Sequence, residues 1–267
     1  MNKTIAVLGC GWLGLPLAQS FLKNGYQVNG STTTKDKLKK LEQLGIAPFQ
    51  IGLKEDKIEG DIDSFLKNID VLIINVPPRL RSGSGENYVM KMKLLHSAIQ
   101  ESSIKKVIFV SSTSVYGDIE GHVTEKTNPQ PSTESGKQLL VSEDIFRNDN
   151  NIQSTVIRFG GLIGPERHPV TMLSGRTNLK NGHHPINLIH LDDCIKIISE
   201  IVDESWYNET FNGVYPSHPK KEDYYISEAI KRKIQPPDYE INTSEKGKTV
   251  QSYNLTNVKG FRFTTTL

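Results

Sequence analysis

Gly9, Gly11 and Gly14 stand in the order Gly-x-Gly-x-x-Gly within Val7-Leu8-Gly9-Cys10-Gly11-Trp12-Leu13-Gly14. The chemistry open to that spacing is the binding of a diphosphate. A first glycine permits a tight turn. A second, lacking a Cβ, lets phosphate oxygens approach the main chain, and a third lets a helix pack closely on a strand. The string gains meaning only when it follows a buried strand and opens a helix. Both conditions are met: Ile5 to Leu8 is an apolar run, and Leu13, Leu17 and Phe21 then recur at helical spacing. The first turn of that helix, Trp12 and Leu13 included, offers free N–H groups and a positive dipole end to an anion.

About 20 residues beyond such a turn, a dinucleotide site usually carries an acid for the ribose hydroxyl. Here the chain reads Gly30-Ser31-Thr32-Thr33-Thr34-Lys35, with no acid before Asp36. Hydroxyls and a lysine suit a 2′-phosphate, so Ser31, Thr32 and Lys35 favour NADP over NAD. The same residues also read as an N-capping loop before a lysine-rich helix, and both roles can coexist. Other reactive residue types offer less. His183 and His184, adjacent on a strand, would face opposite sides with no Cys or acid at ligand spacing, so no metal is expected. Ser112 lacks the Gly-x-Ser-x-Gly elbow of a hydrolase. Cys10 and Cys194 are the only cysteines, which suits a reducing cytoplasm rather than a disulfide scaffold.

The elements that must position these residues alternate. Strands are predicted at Ile5 to Leu8, Tyr26 to Gly30, Ala47 to Leu53, Val71 to Ile74, Lys106 to Val110 and Thr155 to Ile157. Helices are predicted at Leu13 to Asn24, Lys35 to Leu44, Tyr88 to Glu101 and Ser135 to Phe146. Such alternation means a parallel sheet and an α/β fold. After Arg158 the texture changes. Gly160 to Pro165 reads as loop, followed by a helix at Asp192 to Val202, a strand at Thr210 to Val214 and a helix from Lys220 to Lys231. The expected organisation is a doubly wound Rossmann domain over residues 1–160. Residues 161–267 form a smaller C-terminal substrate lobe, partly interleaved with the sheet, with the ligand in the crevice between. The loop with Arg79, Arg81 and Ser82 to Glu86 follows the fourth strand, so it either borders the cofactor or is a surface linker. Asn75, Val76 and Pro77 should pass close to the adenosine and ribose.

With 267 residues and a formal net charge of +2, the chain carries no basic excess for nucleic acid or an anionic membrane surface. Mean hydropathy is −0.41, and no apolar run is long enough for a membrane span. Met1-Asn2-Lys3 leads at once into strand, so no signal peptide is expected.

Val110-Ser111-Ser112-Thr113-Ser114-Val115-Tyr116-Gly117-Asp118, together with the glycine turn, resembles the extended short-chain dehydrogenase/reductases of the NAD-dependent epimerase/dehydratase type. Arg158 to Pro165, Ile189-His190-Leu191-Asp192-Asp193 and Phe211-Asn212 are further similar stretches, in unbroken order from residue 4 to about 263. The closer match is to an atypical bacterial branch. The resemblance implies that Ser112 binds the reacting substrate oxygen. It places Tyr116 beside the nicotinamide or substrate, though packing in the interior is as open a reading. It places Arg167 and His168 in a substrate-binding loop, where Arg167 reads equally as a surface arginine. It places His190 near the lobe junction, where it also reads as a core histidine. It also implies frequent dimerisation through helices of the Rossmann domain, hence a homodimer.

The family's proton chemistry uses Tyr-x-x-x-Lys. Here those positions fall on Ser135 and Leu139. No tyrosine in the chain has a lysine four residues later, so the dyad is absent in any register. A positioned acid–base group is worth about 10²–10⁴ in rate, and a serine hydroxyl is too weak an acid to stand in. Lys137 lies two positions from Ser135, off that helix face. Two functions follow. One is an NAD(P)-dependent oxidoreductase or epimerase-like enzyme acting on a small polar substrate, with Tyr116 or a substrate group supplying the proton. The other is a non-catalytic NAD(P)-binding redox sensor or interaction module.

Overall fold

The computed structural model describes residues 3–78, 86–240 and 246–267. Seven strands form its central sheet: β1 Thr4–Leu8, β2 Gln27–Thr32, β3 Ala47–Gln50, β4 Val71–Ile74, β5 Lys106–Ser112, β6 Gln153–Phe159 and β7 Thr210–Gly213. Their order is β7-β6-β5-β4-β1-β2-β3, and every neighbouring pair is parallel. Five longer helices cover it, α1 Gly14–Lys23, α2 Asp36–Gln43, α3 Tyr88–Gln100, α4 Glu134–Arg147 and α5 Leu191–Asp203, while a sixth, α6 Lys221–Lys231, belongs to a smaller core.

Strand alternation explains the two layers. Side chains along β1 point to opposite faces in turn. Ile5 and Val7 join Leu17 and Phe21 of α1 and Ile197 and Ile201 of α5 in one core. Ala6 and Leu8 join Met92 and Leu95 of α3 and Phe146 of α4 in the other. A sheet covered on both faces needs apolar strands throughout, and all four residues of β4 are buried. The lysine-rich α2 buries only Leu41, so its lysines lie on a solvated face. From β1 the chain winds outward through β2 and β3, then returns to β4 on the other side of β1. That reversal opens a crevice at the strands' C-terminal ends.

The later part of the chain is interleaved with this sheet. β7 pairs with β6 from Thr210↔Val156 to Gly213↔Phe159, while α5 packs under α1. A smaller core gathers Ile163, Val170, Ile186, Leu188, Tyr224 and Tyr225. The loop expected at Gly160 to Pro165 is in part a strand: Gly161–Ile163 pairs in parallel with Leu188–His190. The glycines there serve close backbone approach, since a Cβ on Gly160 would lie 2.6 Å from the Asn187 carbonyl oxygen. A hairpin pairing Gly52–Leu53 with Ile58–Glu59, and a helix at Ile62–Leu66 capped by Asp61, were also not anticipated. Among the described residues no helix is long and apolar enough to cross a membrane.

Candidate functional site

The glycine turn sits at the switch between β1 and β4, and its three glycines do different things. A Cβ on Gly9 (φ +103°) would lie 2.6 Å from the Asn75 carbonyl oxygen. A Cβ on Gly14 would lie 2.1 Å from the Gly9 carbonyl oxygen and 2.9 Å from Asn75 Nδ2. A Cβ on Gly11 would meet nothing within 4 Å. Gly9 and Gly14 are therefore packing glycines, and Gly11 borders open space. Asn75 braces the turn from β4, donating from Nδ2 to the Gly9 carbonyl at 3.1 Å. Ser31 braces it from β2, accepting the Gly9 N–H at 2.9 Å.

α1 begins with no side-chain cap and no acid in its first turn. Among the described residues, the Trp12 and Leu13 N–H groups have no hydrogen-bond partner. Uncapped N–H groups beside a space that only a glycine leaves open fit a diphosphate.

The ribose end differs from expectation in detail. Ser31 and Thr32 are buried. The Ser31 hydroxyl accepts the Gly9 N–H of the turn, and the Thr32 hydroxyl accepts the Thr34 N–H at 3.2 Å. Thr33, Thr34 and Lys35 are the exposed residues at the end of β2. Val76 accepts the Tyr88 hydroxyl on its carbonyl at 2.7 Å, and Pro77 is exposed beside it. Arg79, Arg81 and Ser82 to Gly85 lie outside the described residues.

Ser112 closes β5. It is half-buried, and its Oγ accepts the Ser114 N–H at 3.1 Å, capping the short turn Thr113–Tyr116. Tyr116, for which a place beside the nicotinamide and packing in the interior were both open, is 0 % exposed. Its hydroxyl donates to Asn212 Oδ1 at 2.9 Å and accepts from Arg158 Nη1 at 2.9 Å. Arg158 in turn holds Glu143 through Nε and Nη2, and Ser111 donates to Glu143 at 2.5 Å. Burial raises the Tyr116 phenol above its usual range, against the opposing effect of Arg158 and Asn212. Sequence reasoning missed this buried network. Its available signal was Arg158, a charge set within the apolar run Val156 to Phe159. Ser135 lies half-buried in the first turn of α4, Leu139 is buried and Lys137 is exposed.

In the later segment, His168 is buried, not lining a crevice. Its Nε2 meets the Tyr224 hydroxyl at 3.0 Å, and its Nδ1 accepts the Val170 N–H at 3.2 Å, capping the helix Pro169–Leu173. His190 caps α5 in the same way, through Asp192. Arg167 is exposed and lies 4.8 Å over the Trp12 ring, while Trp12 Nε1 donates to the Pro165 carbonyl at 3.2 Å. The structure thus brings together Gly9, Gly11, Trp12, Leu13, Gly14, Ser31, Asn75 and Arg167. It draws Tyr116 and His168 into the interior. His183 and His184 stack edge to face, and no group of three metal-ligating residues occurs among the described residues.

Fold and cradle together define an NAD(P)-binding Rossmann protein. The chain belongs to the NAD(P)H-binding family, whose model matches residues 9–188. It is 35 % identical over 266 residues to Protein YeeZ of Escherichia coli K12, covering 98 % of this chain and 96 % of that one. It is 25 % identical over 229 residues to the uncharacterized UDP-glucose epimerase YtcB of Bacillus subtilis, covering 75 % and 72 %. Its fold is that of the NAD-dependent epimerases. The UDP-glucuronic acid 4-epimerase of Bacillus cereus, solved with UDP-glucuronic acid and NAD, superposes with a TM-score of 0.79 at 22 % identity, over 99 % of this chain and 95 % of that one. The likeness to the epimerase/dehydratase type therefore holds for the architecture, and the family shown is the NAD(P)H-binding one.

Proposed function

We propose that the protein is an NADP-dependent oxidoreductase or epimerase-like enzyme acting on a small polar substrate. The observation that carries the coenzyme is the Gly11 opening beside the uncapped Trp12 and Leu13 N–H groups. These groups would hold the diphosphate, with Asn75 and Ser31 fixing the turn's shape. NADP over NAD is supported by exposed Thr33, Thr34 and Lys35 at the end of β2. Lys35 meets the 2′-phosphate, while Ser31 and Thr32 shape the strand end from within. Val76 and Pro77 border the adenosine side.

A bound nicotinamide supplies hydride transfer. The chain's own contribution is to place the substrate. Ser112 Oγ accepts one N–H and keeps its O–H free to donate to a substrate oxygen at the end of β5. The proton cannot come from Tyr116 without breaking its bonds to Arg158 and Asn212, so it comes from a substrate group or from water. Residues 161–267 form the substrate lobe in this reading, and the protein is cytoplasmic. It dimerises through α3 and α4, where Met90 and Val141 stand exposed.

A second reading, a coenzyme-binding sensor without turnover, is favoured by one observation: Leu139 and the buried Tyr116 leave no phenol–ammonium pair. Incubation with NADPH and a panel of sugar nucleotides, ketones and aldehydes separates the two. Loss of reduced coenzyme that Ser112→Ala abolishes supports the enzyme. Tight coenzyme binding with neither loss of reduced coenzyme nor epimerisation of any sugar nucleotide in the panel, supplied with oxidised coenzyme as well, supports the sensor.

A further inference from the structure

Residues Gly164 to Arg167 form a closed turn: Gly164 N–H donates to the Arg167 carbonyl at 2.9 Å and Arg167 N–H to the Gly164 carbonyl at 3.1 Å. The turn is seated on the glycine-rich loop. A Cβ on Gly164 would lie 3.0 Å from both Trp12 Cζ2 and Leu191 Cβ, so the turn rests against Trp12 and the first residue of α5 together. The Pro165 carbonyl takes the Trp12 indole N–H, and the Arg167 guanidinium lies over the indole ring. Among the described residues the Arg167 side chain makes no hydrogen bond, so a guanidinium held over the ring has N–H groups free for an anion.

Two features suggest what that anion is. Among the described residues, no carboxylate lies within ion-pair distance of Arg167. The adjoining N-terminus of α1 is likewise without an acid or a cap. A full positive charge therefore sits beside the partial positive charge of a helix end, and nothing among the described residues neutralises either. The loop that contributes Trp12 to the stack also supplies the free Trp12 and Leu13 N–H groups.

We propose that Arg167 is a ligand of the coenzyme diphosphate, delivered from the later segment of the chain, and not a substrate clamp. Diphosphate oxygens would be held on one side by the first turn of α1 and on the other by the guanidinium edge, with the Trp12 ring fixing the distance between them. This inference rests on the coenzyme reading above.

The test is a titration of NAD, NADP and adenosine 2′-phosphate into wild type, Arg167→Gln and Arg167→Lys. Adenosine 2′-phosphate carries the ribose-side phosphate but no diphosphate. Arg167→Gln should weaken NAD and NADP alike, by about tenfold, and leave adenosine 2′-phosphate within about twofold. Arg167→Lys should recover part of the loss by restoring the charge. An unchanged melting temperature for the free variants would separate this from a structural role of the stack. Unchanged coenzyme affinity in Arg167→Gln overturns the proposal, as does an equal loss for adenosine 2′-phosphate, which would place Arg167 at the ribose. A wild type that binds no coenzyme overturns the preceding reading and this one with it.

Discussion

Arg158 Nη1 donates to the Tyr116 hydroxyl at 2.9 Å, in a setting where neither side chain is more than 2 % exposed. The bond joins β6 to the turn after β5. Through Glu143 and Asn212 it reaches α4 and β7 as well. A tyrosine so held is a structural element. Tyr116→Phe should cost about 1–2 kcal/mol in urea unfolding by leaving buried polar partners unmet, while coenzyme affinity stays unchanged. Arg158→Leu should cost more, about 3–5 kcal/mol, because Glu143 is left buried without its counter-charge. Turnover lost in Tyr116→Phe with stability intact would instead return the phenol to the reaction.

Gly11 and Gly14 differ in what a methyl group would strike, and that separates binding from folding. Gly14→Ala drives a Cβ into the Gly9 carbonyl, so it should lower the melting temperature and abolish coenzyme binding together. Gly11→Ala meets no protein atom, so its melting temperature should match wild type. Its Cβ would instead fill the space left for phosphate, weakening NADP by at least about tenfold. Equal coenzyme affinity in wild type and Gly11→Ala would remove the diphosphate from this turn.

The sheet was legible because its signals are local. Val71 to Ile74 reads as a buried strand from composition alone, and Leu13, Leu17 and Phe21 announce α1 by spacing. Gly9, Gly11 and Gly14 announced the turn, but not that only Gly11 faces open space, since that depends on Asn75 arriving from β4. Ser31 was expected at the ribose and instead braces the turn, because nothing local tells a hydroxyl that faces a ribose from one that faces the Gly9 N–H. The interior positions of Tyr116 and His168 were not legible for a related reason. Each satisfies its polar atoms on partners far along the chain, Arg158 and Asn212 for one and Tyr224 for the other. Gly161 to Ile163 read as loop because the strand it pairs with begins at Leu188.

Lys35 is exposed just beyond β2, and the choice of coenzyme should turn on it. Lys35→Glu places a carboxylate where a dinucleotide site selective for NAD has one. It should weaken NADP by about tenfold or more and leave NAD within about threefold. Because the side chain is exposed, the wild-type preference should shrink as salt rises. Parallel titrations at low and high ionic strength check both points. An unaltered NADP-to-NAD ratio in Lys35→Glu would show that the 2′-phosphate is held elsewhere or that NAD is the natural ligand.

His168 makes the smaller core sensitive to acid. Burial pushes its imidazole below the usual range; Arg232 and Lys231 add to this, and Glu228 at 3.8 Å opposes it. The folded state therefore keeps His168 neutral, with Nδ1 accepting the Val170 N–H. In the unfolded chain the imidazole takes up a proton near its ordinary value of about 6.5. Below that pH the unfolded state binds more protons, so the stability this residue contributes is present above about 6.5 and lost as pH falls. His218, also lowered by burial, acts in the same direction. Unfolding measured at about pH 7.5 and pH 5.5 should show a clear loss for wild type and a smaller one for His168→Gln. Replacing both histidines should flatten the profile further. A loss as steep in His168→Gln as in wild type would mean that this imidazole is already charged in the folded protein, which its bond to the Val170 N–H does not permit.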